Sequence, residues 1–157
     1  MGLKTSAKRV QDALQKYEYE LEVKQYPAST RTAADAASAI GCDVEMIAKS
    51  LIFKGAKSGE PILIVASGSN RVNEKAVAKI IEEKLLRADA DFVFETTGYK
   101  IGGIPPVGHK ADMITLIDED ILNLSEIWAA AGTPNAVFKL TPQILLNITN
   151  GKVINIK

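Results

Sequence analysis

The chain has 157 residues, of which 46% are hydrophobic and 24% are charged. This length and composition are typical of one globular domain and argue against a disordered chain, a collagen or a coiled coil. Nineteen Lys and Arg residues balance nineteen Asp and Glu residues, so no overall charge attracts nucleic acid or an anionic membrane. We therefore expect a single domain over residues 1–157, in which any RNA partner binds a local patch.

The N-terminal sequence and the cysteine content indicate a compartment. The segment MGLKTSAKRV lacks the apolar core of a signal peptide, and no apolar run approaches the length of a membrane span. The single cysteine, Cys42, cannot form an intrachain disulfide, and its place beside a predicted helix start suggests a packing role. These features predict a cytoplasmic protein without a membrane partner.

The first third of the chain shows three helical patterns and one strand pattern. Apolar residues at helical spacing predict a helix that begins at Ser6, and the alternation in YELEV predicts a strand over residues 19–23. Thr32 and Gly41 are residue types that begin and end a helix, here AADAASAI. Residues 43–51 again repeat apolar side chains at helical spacing, which predicts a short helix.

The centre of the chain predicts a hairpin, a helix and a strand. SLIFKG and PILIVASG are short apolar runs joined by AKSGE, which is typical of two core strands in a hairpin. Asn73 is a favourable cap for a helix over residues 74–86. DFVFETT alternates and predicts a strand that leads directly into a glycine-rich loop.

The last third predicts another strand and two helices. MITLIDED has a strand pattern, and Ser125 begins a predicted helix over EIWAAA that Gly132 and Pro134 end. NAVFKL, a helix that begins at Thr141-Pro142, and the terminal VINIK complete the chain. The order mixes hairpins with helices instead of alternating them strictly. It predicts an α+β domain with a mixed, curved, barrel-like sheet flanked by helices.

One loop, GYKIGGIPPVGHK at residues 98–110, contains four glycines, two prolines and the only histidine of the chain. Gly102 and Gly103 let a ligand approach the backbone, while Pro105 and Pro106 stiffen the segment that presents their amides. Preorganised amide donors suit a carbonyl or oxyanion site. A plain surface turn is the alternative.

Two side chains are candidates for a catalytic or substrate-binding role. His109 could act as a general base, as a leaving-group acid or only as a hydrogen-bonding residue of the loop. Lys49 interrupts the apolar residues of IAKSLIF and either binds a phosphate or carbonyl or extends to solvent. One histidine and one cysteine supply no clustered metal ligands, so we predict no metal and no other cofactor. No GxSxG segment is present, although spacing alone leaves a distant triad open.

Four stretches, TAADAASAIGC, IAKSLIFKG, TTGYKIGGIPPVGH and WAAAGTPNAVFKLTP, follow one another in the chain. In this combination they resemble the YbaK-like family, the freestanding relatives of the editing domain of bacterial prolyl-tRNA synthetases. The resemblance extends from about Tyr19 to the C-terminus. It implies the fold of that editing domain and a trans-acting aminoacyl-tRNA deacylase. The implied substrate is mischarged tRNA, in the first place tRNA(Pro) carrying Ala, Cys or another small amino acid, with prolyl-tRNA synthetase as a candidate partner.

The resemblance also implies site residues. Lys49 matches the family's lysine in KSLxF, which engages the terminal adenosine or the aminoacyl end of the substrate. Gly102 matches the GGxxP loop, whose amides are expected to hold the scissile carbonyl, and His109 matches the branches in which Gly-His follows that loop. These three residues form the expected catalytic set. The expected substrate-binding residues are Gly103, Ile104, Pro105, Pro106, Gly108 and Asn135.

The implied mechanism uses no side-chain nucleophile. Water attacks with help from the substrate's own ribose hydroxyl, and the protein positions the ester and polarises its carbonyl. Because the net charge is zero, tRNA affinity would depend on a synthetase partner or on local lysines. Those lysines are Lys54, Lys57, Lys100 and Lys110. Two alternatives remain open: an inactive regulatory module that binds tRNA or a nucleotide, and a hydrolase of small molecules. DNA is not an expected partner.

Overall fold

The computed structural model describes residues 3–157; Met1 and Gly2, which the single-domain prediction includes, lie outside the described residues. The strands are β1 (Val23–Gln25), β2 (Ile47–Gly55), β3 (Pro61–Ser67), β4 (Leu85–Arg87), β5 (Ile114–Asp118), β6 (Ile127–Ala130), β7 (Ala136–Leu140) and β8 (Lys152–Ile154). The helices are α1 (Thr5–Leu14), α2 (Ala33–Ile40), α3 (Glu74–Ile81), α4 (Ala90–Thr97) and α5 (Pro142–Thr149). Over this described range, no helix has the length and apolar character needed to cross a membrane.

The eight strands of the described chain form one curved, open sheet in the order β1-β7-β6-β2-β3-β5-β8, with β4 paired to β2. The pairs β1/β7, β6/β7, β2/β3 and β2/β4 are antiparallel. The pairs β2/β6, β3/β5 and β5/β8 are parallel. The predicted α+β domain with a mixed, curved sheet is confirmed, and the sheet does not close into a full barrel.

One edge of β2 is only partly covered by other strands. β3 pairs with residues 48–54 along one edge. Along the other edge, β6 pairs with residues 47–48 and β4 pairs with residues 53–55. Within residues 3–157, no strand pairs with residues 49–52 on that second edge. The longest strand of the sheet therefore borders a gap between β6 and β4, which we call the sheet gap.

Helices cover both faces of the sheet. On one face, α1, α4 and α5 bury side chains such as Val10 and Leu145 against the main core. On the other face, α2 packs in a cluster that contains Ile47 and Trp128, and α3 packs in a second cluster around Val77. The two clusters on this second face are separate. Their boundary therefore falls on β2, within the stretch that borders the sheet gap.

Capping predictions are confirmed where a side chain meets a backbone amide. Thr32 Oγ1 accepts a hydrogen bond from the N–H of Asp35 at 3.0 Å, and Asn73 Oδ1 accepts one from Ala76 at 3.1 Å. Gly41 ends α2 with a φ of 84°, in the left-handed region that glycine tolerates. The predicted hairpin, the strand in MITLIDED and the helix after Thr141 are also confirmed.

Three predicted elements are wrong. DFVFETT, predicted as a strand, lies in α4, because Asp89 Oδ1 caps a helical turn by accepting from the N–H of Phe92 at 2.8 Å. EIWAAA, predicted as a helix, contains β6, whose pairing with β7 and β2 overrides the helix propensity of its alanines. Residues 47–51, predicted as helical, belong to β2, and only a short 3-10 helix, Val44–Met46, precedes them.

Three boundaries differ from the predictions. α1 begins at Thr5 without a side-chain cap, so Ser6 lies inside the helix. The strand predicted over residues 19–23 becomes β1, which includes only Val23 of that range, although the alternating burial is observed. α3 ends before Glu82, which has a φ of 62°, so the end of the helix predicted over residues 74–86 forms β4 instead.

We expect the main core to depend on Phe138. Its side chain is fully buried, so Phe138→Ala should lower the free energy of unfolding by about 3–5 kcal/mol through lost burial and cavity formation. Phe94→Ala is the matched control, because Phe94 is 52% exposed and its removal should change stability by about 0.5 kcal/mol or less. Urea denaturation measures both. Equal losses in the two variants would contradict this description of the core.

Candidate functional site

A cavity of about 510 Å³ opens at the sheet gap. Residues 47–53 of β2 all line it, and because successive strand residues point to opposite faces, the cavity reaches both faces of the sheet. Most of the remaining lining residues lie in residues 30–33, at the end of β4, at Ile101, Gly102 and Ile104, and in β6. Its volume lies in the range of about 300–1,000 Å³ that is usual for pockets that bind small molecules. Incomplete strand pairing thus leaves room for a ligand inside the sheet.

Lys49 lies at the boundary between the two apolar clusters. Ile47 packs in the cluster under α2, and Leu51 packs against the cluster under α3. The Lys49 side chain is half-buried, and within residues 3–157 its ammonium forms no ion pair. Burial lowers the pKa of Lys49, nearby Arg71 lowers it further, and Asp118 has the opposite effect. An unpaired, partly desolvated ammonium is well suited to bind a carbonyl oxygen or an anion.

Two hydroxyl groups line the same cavity. Within residues 3–157, Thr30 Oγ1 and Ser50 Oγ are buried and have no hydrogen-bond partner. Thr30 is held in place through its backbone, whose N–H donates to the carbonyl of Pro134 at 2.7 Å. Buried hydroxyls almost always have a partner in folded proteins. Two buried hydroxyls without a partner are therefore an unusual feature of this wall.

Gly102 brings the glycine-rich loop to the cavity wall. It has a φ of 99°, and a Cβ at this position would lie 2.6 Å from Arg31 Cγ. Only glycine therefore lets the stem of Arg31 cross the loop at this point. Ile104 lines the cavity beside it. Of the nine predicted site residues, the structure brings Lys49, Gly102 and Ile104 together at the cavity.

Gly103 and the two prolines lie behind the wall. The N–H of Gly103 donates to the carbonyl of Lys100 at 3.2 Å, and its own carbonyl accepts from the N–H of Gly132 at 2.8 Å. A Cβ on Gly103 would lie 2.9 Å from the carbonyl carbon of Gly132, so the close approach of these loops requires glycine. Pro105 and Pro106 are buried and do not line the cavity. This loop is thus packed into the molecule and is not a plain surface turn.

His109 lies outside the cavity. It lines shallow clefts beside α1 and α5, together with Gly108. His109 Nε2 is 2.6 Å from the carbonyl oxygen of Pro105, and because a carbonyl only accepts, Nε2 carries the proton. Burial lowers the pKa of His109, and the hydrogen bond to Pro105 partly offsets this effect. The neutral ring therefore stabilises the turn from Pro105 to His109 by a hydrogen bond across it.

Asn135 also lies outside the cavity. Its Oδ1 accepts from Thr133 Oγ1 at 2.8 Å, and its Nδ2 donates to the carbonyl of Tyr26 at 3.1 Å. These contacts connect the turn between β6 and β7 to the segment that precedes Thr30. Asn135 thus supports the cavity wall from behind.

Six polar side chains at the cavity were not expected there from the sequence: Thr30, Arg31, Thr32, Ser50, Glu74 and Arg87. Arg87 reaches the site only because β4 pairs with β2, which places it beside Phe53. The sequence carries no signal for that pairing. Ser50 follows Lys49 directly, and a strand over residues 47–55 would have indicated that the two side chains occupy opposite faces.

The comparisons with known proteins agree on the family. The family model described as an aminoacyl-tRNA editing domain matches residues 27–148, a range that includes every residue that lines the cavity. The chain belongs to the aminoacyl-tRNA editing domain family. This finding confirms the resemblance seen in the four sequence stretches.

Individual relatives of this editing domain cover most of the chain. A crystal structure described as that of a candidate trans-editing enzyme for prolyl-tRNA synthetase is 44% identical, with a TM-score of 0.93 and 99% of each chain covered. The uncharacterized protein YwhH of Bacillus subtilis is 31% identical, over 94% of each chain. EbsC of Enterococcus faecalis, named as a candidate Cys-tRNA(Pro)/Cys-tRNA(Cys) deacylase, is 30% identical over 80% of this chain and 76% of its own.

The editing domain should become less stable in mild acid because of His109. The pKa of His109 is lowered in the folded protein, so the unfolded chain binds a proton first. The stability that the neutral ring contributes is present above about pH 6.5, and it is lost as the pH falls from there toward the lowered pKa of His109 in the folded protein. His109→Gln cannot titrate, so the difference in unfolding free energy between wild type and variant should shrink below about pH 6.5. Urea denaturation between about pH 5 and 8 measures this, and a constant difference would contradict it.

Proposed function

We propose that this protein is a trans-acting aminoacyl-tRNA deacylase that hydrolyses the ester of tRNA(Pro) carrying alanine, cysteine or another small amino acid. The observation that carries the proposal is the cavity at the sheet gap, where Lys49 and Gly102 adjoin apolar walls. Membership of the editing-domain family supports the reaction class. The names given to EbsC and to the 44% identical structure support tRNA(Pro) as the first substrate to test.

Carbonyl polarisation is the main chemical task in this proposal. The Lys49 ammonium stabilises the negative charge that develops on the carbonyl oxygen, and its partial burial strengthens that interaction. The N–H of Gly102 is the second donor. Within residues 3–157 it has no acceptor, whereas the N–H of Gly103 is already bonded to Lys100. We therefore assign the carbonyl contact to Gly102 and a structural role to Gly103.

The nucleophile is water. Its oxygen attacks the ester carbon, the bond from that carbon to the ribose oxygen breaks, and a proton passes to that oxygen through the neighbouring ribose hydroxyl. The products are the free amino acid and uncharged tRNA. Catalysis then comes from positioning and charge stabilisation and does not require a basic side chain. His109, which lies outside the cavity, acts in this proposal by fixing the loop that carries Gly102.

Selection among amino acids is by size. Small side chains form much of the cavity wall: Ala33, Ala36, Ala48, Ala129 and Ala130. An extra methylene changes binding in such a pocket by only about 1–3 kcal/mol, so an editing site gains most by excluding large side chains sterically. A substrate of this kind places the enzyme in the cytoplasm, with prolyl-tRNA synthetase as the candidate protein partner.

The test is ester hydrolysis on a panel of tRNA(Pro) charged with alanine, cysteine, serine or proline. We expect the small noncognate esters to be hydrolysed faster than the prolyl ester. Lys49→Met should lower kcat/KM by about 100-fold or more, as is usual when one oxyanion donor is removed. It should not lower the free energy of unfolding, because the fold disfavours the charge of Lys49.

Lys152→Met is the matched control, because Lys152 is exposed on β8, away from the cavity. If wild type hydrolyses no charged tRNA, the inactive binding module becomes the better description. If Lys49→Met keeps full activity, the proposed role of Lys49 is wrong.

A further inference from the structure

Two arginines at the cavity have side chains with no ion-pair or hydrogen-bond partner among residues 3–157. Arg31 and Arg87 both line the cavity and are both exposed. Within residues 3–157, neither guanidinium takes part in an ion pair or a hydrogen bond. Besides Lys49, Arg71 is a further cation in this region, close enough to Lys49 to lower its pKa. A free guanidinium at a pocket is available to an anion outside the protein.

The charge at the cavity contrasts with that of the whole chain. The protein has no net charge. The residues that line the cavity include three cations, Arg31, Lys49 and Arg87, and one carboxylate, Glu74. Positive charge is therefore in excess at this site, and a concave site with an excess of one sign attracts ligands of the opposite sign.

The backbone holds both arginines firmly. Arg31 follows Thr30, which is bonded to Pro134, and its own N–H donates to Ser29 Oγ at 3.2 Å. Its stem crosses the loop at Gly102, where a side chain would collide with it. Arg87 is anchored by the pairing of β4 with β2 at the end of the sheet gap. Both positions therefore depend on the same elements that form the cavity.

We propose that Arg31 and Arg87 bind backbone phosphates at the 3′ end of the tRNA and so guide the terminal aminoacyl-adenosine into the cavity. This inference rests on the proposed function. Arginine suits the task, because its planar guanidinium binds phosphate oxygens through two parallel hydrogen bonds. The four lysines that the sequence suggested for RNA binding do not line the cavity, and the ammonium of Lys54 lies over the Phe92 ring at 5.1 Å. The arginines are thus the better placed phosphate ligands.

The experiment compares two substrates that share the ester and differ in phosphates. One is tRNA(Pro) charged with alanine, and the other is the alanyl ester of adenosine, which has no phosphate. Each of Arg31→Gln and Arg87→Gln should raise KM for the charged tRNA by roughly fivefold at about 0.1 M salt, with a smaller change in kcat. The loss in kcat/KM should be several-fold smaller for the adenosine ester. Lys152→Gln, with the same charge change on β8, should leave both substrates unaffected.

A binding measurement provides a readout that does not need catalysis. In filter binding with uncharged tRNA(Pro), each arginine variant should reduce the slope of log affinity against log salt by about one. Equal losses on the two substrates, or an unchanged KM and salt slope, would overturn the inference. If wild type hydrolyses neither substrate, the proposed function fails, and the salt slope alone decides whether the arginines bind phosphate.

Discussion

The structure depends on the interrupted pairing along β2. β6 pairs with only two residues of β2, and the pairing with β4 begins only at residue 53 of β2, so residues 49–52 face open space on one edge. Backbone groups in a sheet normally find partners in the neighbouring strand. Here the missing strand segment is replaced by a cavity that reaches both faces of the sheet. The position of Lys49 at the cavity and the separation of the two apolar clusters both follow from this gap.

The surrounding loops keep the gap open. A hydrogen bond between Gly132 and Gly103 brings two loops together, and His109 forms a hydrogen bond to Pro105 within the same loop. Asn135 connects the turn after β6 to the segment before α2. None of these three contacts lies in the cavity, yet together they fix the two walls that carry Gly102 and Thr30. Unpartnered hydroxyls and an unpaired, half-buried ammonium reduce the stability of a fold. Such groups are typical of functional sites, where stability is given up for binding.

Local patterns predicted those parts of the fold that local contacts determine. The caps of α2 and α3 and the β2/β3 hairpin involve residues close in sequence, so the residue types alone indicate them. The wrong predictions concern elements that distant partners determine. EIWAAA has good helix formers but pairs on both edges, and DFVFETT alternates but is capped by Asp89 as a helix. Sequence pattern does not contain the strand order that decides such cases.

The same distinction applies to the site. Lys49 and Gly102 were expected from the family resemblance, and both reach the cavity. His109 was expected with them because it matches the family branches in which Gly-His follows the loop, but the loop turns at the prolines and directs the ring to another cleft. Arg87 reaches the cavity through the register of β4 against β2, which no local pattern encodes. Residue types indicated which side chains can bind or polarise a substrate. Strand pairing and loop packing determined which of them line the cavity.

The sheet gap is the proposed substrate site. The most direct measurement is NMR titration of the protein with an unreactive analogue, adenosine that carries alanine through an amide bond at its 3′ position. Binding in the gap should shift the backbone amide signals of residues 49–52 and of Gly102 and Ile104 most strongly. Shifts that are largest at Gly108, His109 and Lys110, with residues 49–52 unaffected, would contradict the claim and place the ligand in the cleft beside α1.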